Sequence, residues 1–209
     1  MWSTPLKDFL IIKDPQVAKL FADPTRRDLL HNLRHREMSP CQLAKILNKH
    51  VSSISYHLNA LEEAGLVELS RTEVKGNLVE RFYRATARMF IISYTLSEGL
   101  VPGSEDVAKW TKEICHRAAT NLAAFGYSIP LDEVDEWTEL IERYAALGKV
   151  ASEEVVSRQI SPTRLESPVL KLLLDVLTRV HLHKNPEYFE TVEKISQKLS
   201  IREEKVVRR

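Results

Sequence analysis

Apolar residues in this chain recur mostly at three- and four-residue steps, the period of an amphipathic helix, and shift to strand-like runs between Leu66 and Tyr83. Val17, Leu20 and Phe21 form a first apolar patch and a short amino-terminal helix. Asp23-Pro24-Thr25 then supplies a cap and an early proline for a helix through Leu29, Leu30 and Leu33. Ser39-Pro40-Cys41-Gln42 reads as a capping box. Ser39 can accept the amide three residues on, Gln42 reaches back, and Pro40 takes the first helical position. Leu43, Ile46 and Leu47 are the expected buried stripe of that helix.

The next helix is expected from about Val51 to Ala64. Ile54, Leu58 and Leu61 face the core at roughly 100° per residue, so Ser52, Tyr56, Asn59 and Glu63 project the other way, with Ser53 and Ser55 at the flanks. Gly65 suits the left-handed residue that ends a helix. Leu66-Val67-Glu68-Leu69 and Val79 to Tyr83 are strand-like, and Lys75-Gly76-Asn77 supplies the turn of a hairpin between them. Helix, turn, polar-faced helix and hairpin is the order of a winged helix-turn-helix, which lays one helix in the DNA major groove and sets a β-loop against the backbone.

Residues 91–209 are helical by pattern. Pro102-Gly103-Ser104 marks a boundary before a helix through Val107, Trp110, Ile114 and Ala118. Asp132 opens another, along which Val134, Trp137, Ile141, Tyr144 and Gly148 form a seam suited to helix pairing within a subunit or between dimer mates. Pro162 and Pro168 precede a helix from Val169 to Val180, and Asn185-Pro186 precedes a last one ending in a charged tail, Arg202 to Arg209. The fold class expected is mainly α with a small β-hairpin wing. Residues 1–90 would be a winged helix-turn-helix for DNA, and 91–209 an all-helical domain for dimerisation and effector response.

Composition permits this without requiring it. The 209 residues carry a net charge of +1 and 44% hydrophobic content, enough for a real core in two small domains. Residues 1–90 hold 14 Lys/Arg against 10 Asp/Glu, leaving 16 against 19 for 91–209, a weak bias toward nucleic acid at the amino-terminal side. Two cysteines make no disulfide framework, the first residues have no leader pattern, and no apolar run approaches the roughly 18–20 residues needed to span a bilayer. A cytoplasmic protein without membrane attachment is expected. A Gly-rich phosphate loop, His-Glu-x-x-His, Gly-x-Ser-x-Gly and Cys-x-x-Cys are all missing, so no enzyme activity and no cofactor are expected.

Four landmarks in order make the pattern specific: Ala22-Asp23-Pro24-Thr25-Arg26-Arg27-Asp28-Leu29-Leu30, Gln42-Leu43-Ala44, Ile54-Ser55-Tyr56-His57-Leu58-Asn59-Ala60-Leu61-Glu62-Glu63-Ala64-Gly65-Leu66-Val67, and Phe82-Tyr83-Arg84. Over residues 17–88 the chain resembles the ArsR-type family of winged-helix transcriptional regulators. The resemblance implies a homodimer on a partly palindromic double-stranded operator, usually a repressor relieved by a ligand. The paired cysteines of the metal-sensing members are missing, since Ser39-Pro40-Cys41-Gln42 offers one thiol, read here as a small buried hydrophobe. His31 with His35, and His181 with His183, are spaced for metal, but no third ligand is evident and no metal site is expected.

The DNA-contacting residues expected are Ser52, Ser53, Ser55, Tyr56, His57 and Asn59 on the reading helix, whose short hydroxyl and amide groups suit base edges and phosphates. Lys75, Arg81 and Arg84 are the phosphate contacts expected in the wing, although either arginine could instead pair with Glu68 or Glu80. His57 is as well suited to orienting or to phosphate contact as to plain packing. The dimer contact is expected first at Trp137, Ile141 and Tyr144 and second at the Val17–Phe21 helix. The alternative is a winged-helix protein-interaction module without DNA binding.

Overall fold

A computed structural model describes residues 6–127, 129–163 and 165–207; the side chains of Lys75, Leu78 and residues 200–207 lie outside that description. The chain divides into two compact units. One runs to Ile92 and includes Ile160–Ser167; the other holds Ser93–Gln159 and the chain from Pro168 onward.

In the first unit, β1 (Lys7–Ile12) leads into α1 (Pro15–Lys19), a 3-10 turn at Leu20–Ala22, and α2 (Pro24–Leu33). Asp23 caps α2 by accepting the Arg26 amide, and Pro24 follows at the first turn. The helix-turn-helix proper is α3 (Pro40–Leu47) and α4 (Val51–Glu63). Ser39 and Gln42 close the expected capping box on α3, and Asn48 ends that helix in the left-handed region at φ 51°. Leu29 and Leu33 of α2, Leu43 and Ala44 of α3, and Ile54, Leu58 and Leu61 of α4 meet in the core. The expected α3 stripe needs one correction. Ile46 is 48% exposed, and the inward positions are taken by Leu43 and the smaller Ala44, which lets α3 approach its neighbours closely.

The wing is β2 (Val67–Lys75) paired antiparallel with β3 (Leu78–Ala85), with Gly76 at φ 63° as the first of two loop residues. Val74 and Val79 face each other near its tip and are exposed. A further pair escaped the sequence reading: β1 runs parallel to β4 (Ala87–Ile92), with Phe9 opposite Met89 and Ile12 opposite Ile92. Residue 90, the boundary expected from sequence, lies inside β4. Asp8 is buried, lies 3.6 Å from the Arg88 guanidinium, and accepts the Thr163 amide, while Arg88 donates to the Leu165 carbonyl. These contacts draw the segment after residue 160 into the first unit.

The second unit comprises α5 (Tyr94–Ser97), α6 (Glu105–Thr120), α7 (Val134–Ser157), α8 (Ser167–Leu182) and α9 (Pro186–Val207). Two expectations shift here. The buried stripe of α6 is Val107, Cys115 and Ala119, one position on from the expected Ile114 and Ala118, because the helix turns the later residues toward α7. Trp137, proposed as a dimer contact, is 1% exposed and interior to the unit, so it is unavailable to a second copy. Lys198 of α9 reaches over its ring while pairing with Glu133 and Glu136. Tyr144 stays exposed and its ring lies 5.8 Å from that of Tyr188 on α9.

Candidate nucleic-acid interface

The three buried residues of α4 fix its rotation, and the opposite face is what it offers. Ser52, Tyr56, Asn59 and Glu63 are exposed on it, Tyr56 to 66%, with Ser53 and Ser55 half-buried at the edges. These are short polar groups and one aromatic on a rigid element, able to donate to and accept from base edges without displacing a charged side chain.

His57 departs from the expected set. Its ring is turned inward, 13% exposed, with Nδ1 3.8 Å from the Asp23 carboxylate that caps α2. Burial opposes ionisation of Asp23, yet its bond from the Arg26 amide and the facing His57 leave the carboxyl below its ordinary range. His57 therefore braces α4 against the start of α2 and stands away from the exposed face of Ser52, Tyr56 and Asn59.

The wing is tied to the same body. Met38, just before the α3 cap, exchanges backbone hydrogen bonds with Tyr83 of β3. Beside it Glu37 accepts from Ser70 Oγ at 2.6 Å and from the Arg71 guanidinium, which also pairs with Glu73 and lies 3.8 Å over the Phe82 ring. Hydrogen bonds from Arg71 and Ser70 hold the Glu37 carboxyl below its usual range despite some burial. Sequence reasoning missed Glu37 and Arg71, since no local pattern links residues 34 positions apart.

Of the expected wing contacts, Arg81 is exposed on β3. Arg84 is not free for phosphate: it is 19% exposed and its Nε donates to Glu68 at 2.6 Å across the hairpin, the internal pair weighed as its alternative. The register that sets Glu68 opposite Arg84 is the cause. Lys75 is the last paired residue before the loop, and its side chain lies outside the described residues.

The metal candidates are otherwise engaged. Arg34 bonds to both His31, at 2.8 Å, and His35, at 3.2 Å. His181 pairs with Glu154 at 2.7 Å, and His183 packs edge-on against Phe189. Cys41 is exposed, contrary to its reading as a buried hydrophobe, because it sits on the outer side of the first turn of α3; Cys115 is the buried thiol. Among the described residues, no group of three or more His, Cys, Asp and Glu is placed to hold a metal ion.

A capped first helix, a second helix with a polar outer face, and a hairpin bonded back to the first helix's start define a winged helix-turn-helix domain. Residues 23–68 match the family model of the bacterial regulatory protein, arsR family, and this part of the chain is an arsR-family helix-turn-helix domain. The HTH-type transcriptional regulator KmtR of Mycobacterium tuberculosis is 39% identical over 80 residues, a stretch covering 38% of this chain and 58% of KmtR. The chain thus spans a little over half the length of that relative. Among solved structures, reduced HlyU from Vibrio cholerae aligns at 29% identity over 34% of this chain and 72% of its own, with a TM-score of 0.28. PadR of Bacillus subtilis in complex with operator DNA aligns at 16% identity over 85% and 97%, with a TM-score of 0.29. No helix among the described residues is long and apolar enough to cross a membrane.

Proposed function

We propose that this chain is a sequence-specific, DNA-binding transcriptional regulator acting in the cytoplasm as a dimeric repressor. In this account α4 reads the operator in the major groove and the β2–β3 hairpin meets the flanking backbone. The observation that carries this is the exposed Ser52, Tyr56 and Asn59 face of α4, held outward by Ile54, Leu58 and Leu61. The arsR-family domain and the name of the KmtR relative support the same activity.

In this reading Ser53 and Ser55, half-buried at the edges of that face, contact sugar and phosphate, and the exposed Arg81 extends the contact along the wing. A homodimer supplies the second reading helix, so the operator is partly palindromic with half-sites about 10–10.5 bp apart or a multiple of that. Fragmented genomic DNA titrated with the full chain against excess non-specific competitor tests the activity. The expected result is retention of a small set of fragments. Uniform retention, or none, would remove sequence-specific regulation.

A further inference from the structure

Helix α8 is apolar on two sides, and only one of them is used within its own subunit. Leu170 and Leu182 are buried, with Leu174 and Thr178 half-buried on the same side. Val169, Leu172, Leu173, Val176, Leu177 and Val180 remain 42–64% exposed. At about 100° per residue these six cover roughly 140° of the helix circumference, away from the buried side. Arg179 and, behind it, Asp175 flank one edge of the stripe, with Arg179 Nε 2.8 Å from Asp175. The six side chains expose on the order of 500 Å² of apolar surface, in the upper part of the range for the largest patch on a monomer, where such patches are often functional.

The sequence of this stripe specifies what covers it. Reversing the helix about the point between Leu174 and Asp175 exchanges Val169 with Val180, Leu172 with Leu177, and Leu173 with Val176. The stripe therefore maps onto itself, in position and nearly in residue type. An antiparallel two-fold interface needs that property, because the same patch must serve both copies; the three-four spacing supplies the match in position, and the pairing of Val169 with Val180 and of Leu172 with Leu177 adds the match in residue type. The steps from Val169 to Leu173, Val176 and Val180, of four, three and four residues, are those of a helix-pairing seam. Some 500 Å² of apolar surface with its charged rim approaches the roughly 800 Å² per partner of a standard stable interface.

We infer that α8 is the dimer seam, packing antiparallel against α8 of a second copy with Leu173 of each chain beside Val176 of the other. This rests on the dimer in the proposed function and supplies the contact that buried Trp137 cannot provide.

Sedimentation velocity on the full chain tests it, with circular dichroism to confirm folding. The wild-type chain is expected to be a dimer. L173E and V176K, each placing a charge in the seam on both copies, are expected to weaken it at least about a hundredfold and sediment as monomers. An equimolar mixture of the two is expected to regain a dimer, because the antiparallel register sets the new carboxylate against the new ammonium. L172E and L177K form a second exchanging pair and replace the first if either of its members fails to fold. Single variants that remain dimeric, or a mixture that remains monomeric, overturn the inference while leaving DNA recognition and the dimer reading in place. A monomeric wild-type chain removes the dimer itself and the inference with it.

Discussion

Met38 and Tyr83 exchange two backbone hydrogen bonds of 2.9 Å each, joining the residue before the α3 cap to the middle of the second wing strand. With Glu37 gripping Ser70 and Arg71 alongside, the hairpin and the helix-turn-helix are one body rather than a domain with a loose appendage. A hairpin alone is marginally stable in water, so this bridge fixes where the wing stands relative to the helix-turn-helix.

Glu37→Gln is expected to loosen that bridge with a defined pH signature. Because the folded-state carboxyl is held below its ordinary value of 4.5, its contribution is present above that value and lost as pH falls through the depressed one. Denaturant melts from pH 7 to pH 3 should show the wild-type chain losing more stability than E37Q. Parallel losses would mean that the Glu37 contacts contribute nothing net.

Tyr56→Ala and Asn59→Ala are each expected to weaken operator binding by about 1–3 kcal/mol and relax preference at one position, with the fold unchanged because both side chains are exposed. Fluorescence anisotropy on operator variants measures both effects. Affinity unchanged in both variants would move the reading face off this side of α4.

The two wing arginines should separate. Arg81→Ala is expected to reduce affinity for all DNA alike and to lower the magnitude of the salt slope by about one. Arg84→Ala removes the partner of Glu68 and should instead lower thermal stability, leaving the salt slope near its wild-type value. The opposite assignment in salt titrations would reverse their roles.

What the sequence made legible was local. The Ser39–Gln42 capping box, the Asp23 cap and the Ile54, Leu58, Leu61 stripe are spelled out within one helix turn or two, and each is where the spacing puts it. Phase was harder: α6 carries apolar residues at both Ile114 and Cys115, so period alone could not decide which faces in, and packing against α7 chose Cys115. Long-range pairing was hardest. Yet Asp8-Phe9-Leu10-Ile11-Ile12 and Arg88-Met89-Phe90-Ile91-Ile92 each set a charge before four apolar residues, with opposite signs, a signal that could have found the β1–β4 pair. For His57, residue type suggested DNA, while its inward partner Asp23 emerges only with the fold; for Arg84, the pair with Glu68 was one of two alternatives in the sequence, and the strand register decided it.

In the second unit, Lys149 lines a cavity of about 160 Å³ with Glu98 and Glu142. Burial lowers its ammonium pKa, against the raising influence of Cys115, Glu98 and Glu153. The charged form is thus disfavoured on folding, a penalty fully present below the depressed folded value and relieved as pH rises toward 10.5. Lys149→Met should therefore be more stable than the wild-type chain at pH 7, with the gap narrowing by pH 10 in chemical denaturation. A constant gap would attribute the effect to packing.

The central claim is that two copies of α4 read a two-fold operator. Repeated selection of bound sequences from random DNA by the full chain tests it most directly. The account predicts enrichment of an inverted repeat whose half-sites lie about 10–10.5 bp apart, or a multiple of it, and loss of that enrichment when the selection is run with the Asn59→Ala chain. Recovery of no common sequence, or of an unpaired motif equally enriched by the Asn59→Ala chain, would contradict it.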